Sequence, residues 1–590
     1  MSIYPRLPLL FLATFLSAEL LAKSSFWTAH ETDAVEWLHW NEETLRKAAD
    51  TDKPLFFFVG HYGNSLARSM LGETFQNTTI ASTLNETAIP VLVDINEEPE
   101  LASLLGQMAN EHFSANELPT CIWTDTHLAP LNGGGYFPPT DDWGGQGFLS
   151  VARNVSEQWL NNRADFVASA KNRLEESLTQ SSISLSQLAA IPETYSAESF
   201  VDQEAPTLSA LALYNSARYA RTLPDSESKE LAAELHKFIG QVVNGAGFDS
   251  IDGGFFIGSN DPNWKLPLFQ KSTSDQAYML LALSELYEID QKSEYKFLIE
   301  LTVAFIEQKL LKENGLAIQY LDSFAEGETP DMTEGSYYLI EGTQVAKLDS
   351  KAREAWGLST EGNLDEDTDI LGIYKGLNVP FAHSEQALSH ELDKERKALR
   401  KLRSKKAFPL SDKNGYTATN ALLARGLTAA AEALGDTDLT KLANSHLQRT
   451  IQANFDAVSG TLYNSDDRIQ KASSHAYAQL AAAALSLKES NNESLDTAKA
   501  IYSAWQGDSR YLEDNALARK IGIQDMSSAI YLDGILESPV ALHLENQLKL
   551  GEAQAPATSS LLESAPSELQ YPSQFLESLQ VVARLLVSQD

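Results

Sequence analysis

A single cysteine, Cys121, limits the sulfur chemistry open to this chain of 590 residues. One thiol excludes an internal disulfide, a Cys-x-x-Cys redox pair and any multi-cysteine zinc or iron–sulfur site. Cys121 stands in the apolar run Leu118-Pro119-Thr120-Cys121-Ile122-Trp123 with no basic neighbour in sequence, the setting of an inert core thiol. Lys271 and Asp275 are four apart and would share a helix face, as an ordinary ion pair or as part of a site. Asp365-Glu366-Asp367-Thr368-Asp369 begins like a calcium loop, but the sixth and twelfth places, which need glycine and glutamate, hold Ile370 and Gly376. That segment reads as an exposed charged loop. No metal and no cofactor is expected.

The elements that would position such residues fall in two blocks behind a targeting segment. Arg6, the apolar run Leu7 to Leu16, and Ser17, Ala18 and Ala22 form a secretory signal pattern over 1–22, with cleavage near Ala18 or Ala22. The run is too short for a ~20-residue membrane span, so the mature chain, without a transmembrane domain, is expected in the periplasm or outside the cell. With 45 basic and 81 acidic side chains (45 − 81 = −36), a nucleic-acid binder and an anionic membrane surface are disfavoured. Between Trp37 and Trp123 helical runs (41–51, 70–84, 97–109) alternate with apolar strands (54–59, 88–94, 118–123). That alternation predicts an α/β layer with parallel pairing, in the order of a thioredoxin-like fold, over residues 24–177. Residues 178–206 turn to Ser, Gln, Glu and Pro and read as a linker. From 207 to 590 amphipathic helices recur, near 207–222, 228–243, 274–289, 293–311, 343–356, 383–403, 417–434, 437–454, 473–488, 494–506, 536–548 and 572–587. Helices in such hairpins match an (α/α)6 barrel. The predicted fold is an α/β thioredoxin-like domain followed by an all-α (α/α)6 toroid.

Six ordered segments sharpen this. Val35-Glu36-Trp37-Leu38-His39-Trp40, Lys53-Pro54-Leu55-Phe56, Glu73-Thr74-Phe75, Val93-Asp94-Ile95-Asn96-Glu97-Glu98-Pro99, Leu118-Pro119 and Gly134-Gly135-Tyr136-Phe137-Pro138-Pro139 follow one another. Together they resemble the thioredoxin-domain proteins of the spermatogenesis-associated type, whose C-terminal part looks like an N-acylglucosamine 2-epimerase or six-hairpin glycosidase toroid. In that family a Cys-His-x-Cys-His motif follows the first strand. The corresponding positions here are Asn64-Ser65-Leu66-Ala67-Arg68, and thiol–disulfide exchange needs sulfur at both cysteine places. The redox role that the resemblance implies is therefore lost with Asn64 and Ala67. Pro119 occupies the place of the fold's cis-proline, where exposed backbone could pair with an extended peptide. A non-catalytic, chaperone-like interaction protein is thus one expectation.

The other expectation is a secreted protein that binds or processes carbohydrate in the toroid's funnel. Asp252-Gly253-Gly254-Phe255-Phe256, Trp264 and Pro267-Leu268-Phe269-Gln270-Lys271 are similar to a family stretch, with Leu268 in place of its histidine and Gln270 in place of its glutamate. Asp322-Ser323, Glu326-Gly327-Glu328 and Glu334-Gly335-Ser336-Tyr337-Tyr338 resemble the next marker, and Asp412-Lys413, Asn420 and Asp533-Gly534 later ones. Sugars offer apolar ring faces to aromatics and hydroxyls to carboxylates, and glycoside hydrolysis needs two carboxyl groups. Asp275, Asp322, Glu334 and Asp412 are the candidate acids. Phe255, Trp264, Lys271, Tyr337 and Asn420 are the candidate ligand-binding residues. Epimerisation instead needs a general base on each face of the sugar, and His383 and His475, near helix starts, are its candidates.

Overall fold

The computed structural model describes residues 24–115, 118–141, 145–177, 206–325, 334–487, 496–501 and 536–550. The signal pattern, nearly all of the linker, Glu326 to Glu328, Asp533-Gly534, the helix expected at 572–587 and much of that at 494–506 lie outside them.

The smaller domain is a four-stranded sheet. Its elements run α1 (Ser25–His30), α2 (Glu42–Thr51), β1 (Leu55–Gly60), α3 (Ser65–Ser69), α4 (Thr78–Thr87), β2 (Ile89–Asp94), α5 (Pro99–Phe113), β3 (Thr120–Thr124), β4 (Pro130–Gly134), α6 (Phe148–Asn161) and α7 (Arg163–Ser177). The strand order is β2-β1-β3-β4. Parallel pairing holds for β1 and β2 only, with Leu55 opposite Ile89, whereas β3 runs antiparallel to β1 and β4 to β3. Every residue of β1, β2 and β3 is buried, because helices cover both faces of the sheet. Phe56, Trp123 and Phe148 pack on one side, and Phe57, Val91 and Leu104 on the other. The helix expected over 70–84 is interrupted. A wide turn over Met70–Thr74 ends at Phe75, and Asn77 restarts the chain as α4 by accepting the N–H groups of Thr79 and Ile80.

The larger domain is a toroid of helices. The described inner helices are α8 (Ala210–Thr222), α10 (Thr273–Asp290), α13 (Thr417–Leu434), α15 (Ser474–Ser486) and α16 (Pro539–Leu550), packed in that succession. Outside them lie α9 (Asp225–Asn244), α11 (Ser293–Phe305) and α14 (Thr437–Asn454). Inner helices α10, α13 and α15 are buried nearly all round, so they carry alanines and no polar face, while the outer helices keep one. Gly426 shows how close they come, since a Cβ there would lie 2.8 Å from the Ala277 carbonyl.

Between α11 and α13 the chain departs from the hairpin pattern. A small sheet joins β5 (Lys271–Ser272), β6 (Tyr320–Ala325) and β7 (Pro409–Ser411). The helix expected over 343–356 splits in two because Asp349 caps a fresh start by accepting Ala352 N–H. That expected over 383–403 is helical only as α12 (Asp393–Arg403), after two short turns.

Buried charges tie the inner helices to one another. Arg218 of α8 donates to Glu545 of α16 at 2.7 Å, while Arg425 of α13 reaches Glu537 at 2.5 Å and Gln479 of α15 at 2.7 Å. All five side chains are buried. Paired and hydrogen-bonded charges of this kind fix which helices are neighbours.

Candidate functional site

Three inner helices point their N-termini at one stretch of the smaller domain, Asp94 to Glu100, where the 93–99 marker runs into α5. Thr273 N–H at the start of α10 donates to the Gln319 carbonyl, and the Gln319 side chain donates to Asn96 at 3.1 Å. Thr417 N–H at the start of α13 donates to the Asn464 carbonyl, and the Asn464 side chain donates to the Asn96 carbonyl at 2.7 Å. Ser474 N–H, the first of α15, donates directly to Glu100 Oε1 at 2.6 Å. A carboxylate of one domain thus caps a helix of the other. The positive ends of the three helix dipoles favour negative charge at this end of the ring.

The lost redox motif faces the same end. Asn64 accepts Ala67 N–H at 2.6 Å and so starts α3, and the Ala67 methyl is fully buried. These positions now carry a cap and a core contact. His61 stacks on Tyr320 of β6 at 4.4 Å, and Arg68 pairs with Asp322 and lies over the Phe324 ring. Gly63 fits because a Cβ there would meet the Tyr320 ring at 2.8 Å. Burial holds the His61 imidazole neutral, its pKa pushed down to about 3. Cys121 is buried with its thiol pKa raised by desolvation, so it offers no thiolate.

Four candidate acids meet at this interface. Asp412 is fully buried; its Oδ1 accepts Ser25 Oγ of the other domain at 2.7 Å and Asn414 N–H at 3.1 Å. Burial and the neighbouring Asp94 push its pKa up to about 7. Asp275, in the first turn of α10, accepts Ser272 Oγ at 2.6 Å, and burial lifts its pKa to about 6. Asp322 is held by Arg68, and Glu334, raised by burial, accepts Ser323 Oγ at 3.3 Å. His475 stands beside Ser474 at the start of α15, buried and held neutral with a pKa near 4.

The smaller domain adds acids that the sequence marked only as family signature. Burial raises Asp94 to about 6, and Glu97 is raised by burial and by Asp94 and Glu98. Asp94 closes an all-buried strand, where a charged side chain needs a purpose, and that was its available signal.

The remaining expected residues sit elsewhere. Phe255 packs on Phe248 and Trp264 on Phe238, both inside the core, so neither offers an open ring face to a sugar. Tyr337 is also buried, and its hydroxyl is spent on Asp252 and Lys309. Lys271 does not pair with Asp275; its ammonium donates to Asp249 at 2.9 Å and Gly253 O at 2.7 Å, ringed by Phe256, Phe305 and Tyr338. Asn420 is a bracket, exchanging hydrogen bonds with the Ala317 backbone. His383 is exposed and lies edge-on to Phe381. Pro119 follows a cis bond and is buried, with Asn64 reaching the Leu118 carbonyl at 3.5 Å. The Asp365 loop is largely exposed, as expected; Asp365 Oδ1 and both Asp369 oxygens accept backbone N–H groups of the loop, while Asp365 Oδ2 pairs with Lys265.

Residues 18–179 match the family model Thioredox_DsbH, described as a protein of unknown function, DUF255. Human spermatogenesis-associated protein 20 is 25% identical over 486 residues, 75% of this chain and 62% of that protein. This chain is similar to spermatogenesis-associated protein 20. The match exceeds either domain's length, so it runs through both, yet it spans less than two thirds of that relative. Mouse spermatogenesis-associated protein 20 is 26% identical over 75% of this chain and 61% of its own length. Among solved structures, an unsaturated glucuronyl hydrolase from Bacillus sp. GL1 is 14% identical, covering 69% of this chain and 83% of that one, with a TM-score of 0.31. A family 76 glycoside hydrolase from a bovine Bacteroides thetaiotaomicron strain is 10% identical, covering 65% and 70%, with a TM-score of 0.35. A thioredoxin-like domain without its redox pair, followed by a mostly helical toroid with some sheet, is the architecture of this chain.

Proposed function

We propose that the toroid's end beneath the thioredoxin-like domain binds a carbohydrate and carries out acid–base chemistry on it, with Asp412 as the proton holder. The observation that carries this reading is Asp412 itself. Its Oδ1 is anchored from both domains while its Oδ2, equally buried, has no hydrogen-bond partner. A carboxyl titrating near neutral pH can both give and take a proton, which is what a general acid for a sugar oxygen requires. Asp275, at about 6, is its natural second. The chaperone-like alternative has less support, because β6 of the toroid lies over the loop that a bound peptide would need.

We place this activity in the periplasm or the cell exterior, a reading supported by the signal pattern of residues 1–22; finding the chain in the cytosol alone would overturn it. A glycan array and a reducing-sugar release assay on the mature chain test the rest. Binding of at least one glycan is expected, and Asp412→Asn should fold normally yet lose turnover by about 10²-fold or more. Silence in both assays would end the carbohydrate reading.

A further inference from the structure

The acids at this interface outnumber the cations available to them. Asp94, Glu97 and Asp412 are buried and Asp275 is half-buried, and none of the four forms an ion pair among the described residues. Two cations of the described residues near this site are already engaged: Arg68 by Asp322, and Lys312 by Asp466 at 2.7 Å and the Lys413 carbonyl at 3.0 Å. Tyr416 gives a second, independent sign. It is 3% exposed at the head of α13, its hydroxyl has no hydrogen-bond partner, and the charges acting on it are Asp412, Asp94, Glu97 and Asp467. An unmade hydrogen bond on a buried hydroxyl costs about 1–3 kcal/mol, so a group that could accept from it and donate to its acidic neighbours would be stabilised there.

We infer that the ligand taken at this interface bears an ammonium group: an amine-bearing sugar, gripped by Asp94 of one domain and Asp412 of the other. This rests on the carbohydrate reading and narrows it. An ammonium supplies three donors and no acceptor, matching carboxylate oxygens that receive few protein donors. Its charge supplies a counter-ion that these carboxyl groups lack among the described residues, whereas a neutral sugar would leave them as they are and a uronate would add a further negative charge. The rings of Tyr320 and Tyr416, both buried here, suit a cation as well. Binding would bring Asp94 and Asp412 into their ionised form, with protons released to buffer, so that in the complex Asp412 takes a proton and Asp275 gives one.

Calorimetry on the full mature chain tests this with three probes of equal length: a glucosamine oligomer, its N-acetylated counterpart and a glucuronate oligomer. The amine should bind at least 10-fold more tightly than the neutral oligomer, with an enthalpy that varies with buffer ionisation as protons are released, and the uronate should not bind. Asp412→Asn and Asp94→Asn should each erase the preference, and Tyr416→Phe, which keeps the ring, should weaken amine binding. Equal or tighter binding of the N-acetylated oligomer would overturn this inference and leave the carbohydrate reading standing. Binding of none of the three probes, together with a silent glycan array, would remove both.

Discussion

Asp249→Ala is expected to destabilise the protein by about 5 kcal/mol, measured by urea denaturation. Asp249 is 2% exposed and accepts both Lys271, at 2.9 Å, and Arg403, at 2.8 and 2.9 Å. Burial by itself would raise its pKa, yet Arg403 and Lys271 hold it below the usual carboxylate range. Removing it leaves two cations in the dry interior, with Asp252 the one carboxylate among the described residues still touching Arg403, at 3.0 Å. Burial already pushes the Lys271 ammonium down to about 8 with Asp249 in place, so without it Lys271 would fold only as the neutral amine. If Asp249→Ala fails to fold, Lys271→Met, which removes the charge with its stem volume kept, should still fold and cost about 2–3 kcal/mol less. Asp365→Ala, which breaks the exposed pair with Lys265, should be nearly neutral. A loss of less than about 1 kcal/mol in Asp249→Ala would show that the buried charges are not what joins α12 to the 249–256 loop.

Asp412→Asn is expected to become more stable than the wild type as pH rises. The Asp412 pKa is about 7 in the folded chain against an ordinary 3.8, so between those values the folded state holds the extra proton. The stability this confers is fully present below about 3.8 and is lost as pH climbs through 7. Asparagine keeps the Oδ1 acceptor for Ser25 and Asn414 and does not titrate. With one pKa unit equal to about 1.4 kcal/mol, the variant should gain about 2–3 kcal/mol on the wild type between pH 5 and pH 8. His61, His446 and His475, buried neutral with pKa values near 3, 4 and 4, act the other way. Their contribution is lost as pH falls below about 6.5, but equally in both chains, so it cancels from the difference. Parallel pH profiles would mean that Asp412 ionises as freely as an exposed aspartate.

The sequence carried the fold better than the site, for a physical reason. Leu55–Gly60 and Ile89–Asp94 are strands flanked by helices, and an unbroken apolar run is the direct mark of a strand buried on both faces. Helices α13 and α14 begin and end where their periodicity does. The helix expected over 343–356 failed because Asp349 caps a second start within it, a local hydrogen bond that periodicity does not register. At the interface the acids were legible as residue types, and Asp275, Asp322, Glu334 and Asp412 do come to one end of the ring. What could not be read was which side chains the other domain would cover. Lys271 and Trp264 look as polar or as planar in sequence as any binding residue, and only the packing of Phe256, Phe305 and Phe238 around them decides that they are interior. Asp94 was missed for the converse reason, because Asp412, the acid it acts on, belongs to the other domain and stands far away in sequence.

The Glu100 carboxylate bonded to the first N–H of α15 gives the smaller domain a standing independent of its lost sulfur chemistry. Were that domain absent, a helix start in a dry setting would lose its acceptor, and the Asn96 hydrogen bonds to Gln319 and Asn464 would go with it. The ring thus leans on this module for its own hydrogen bonds and asks no sulfur of it, which makes the module part of the ring's masonry.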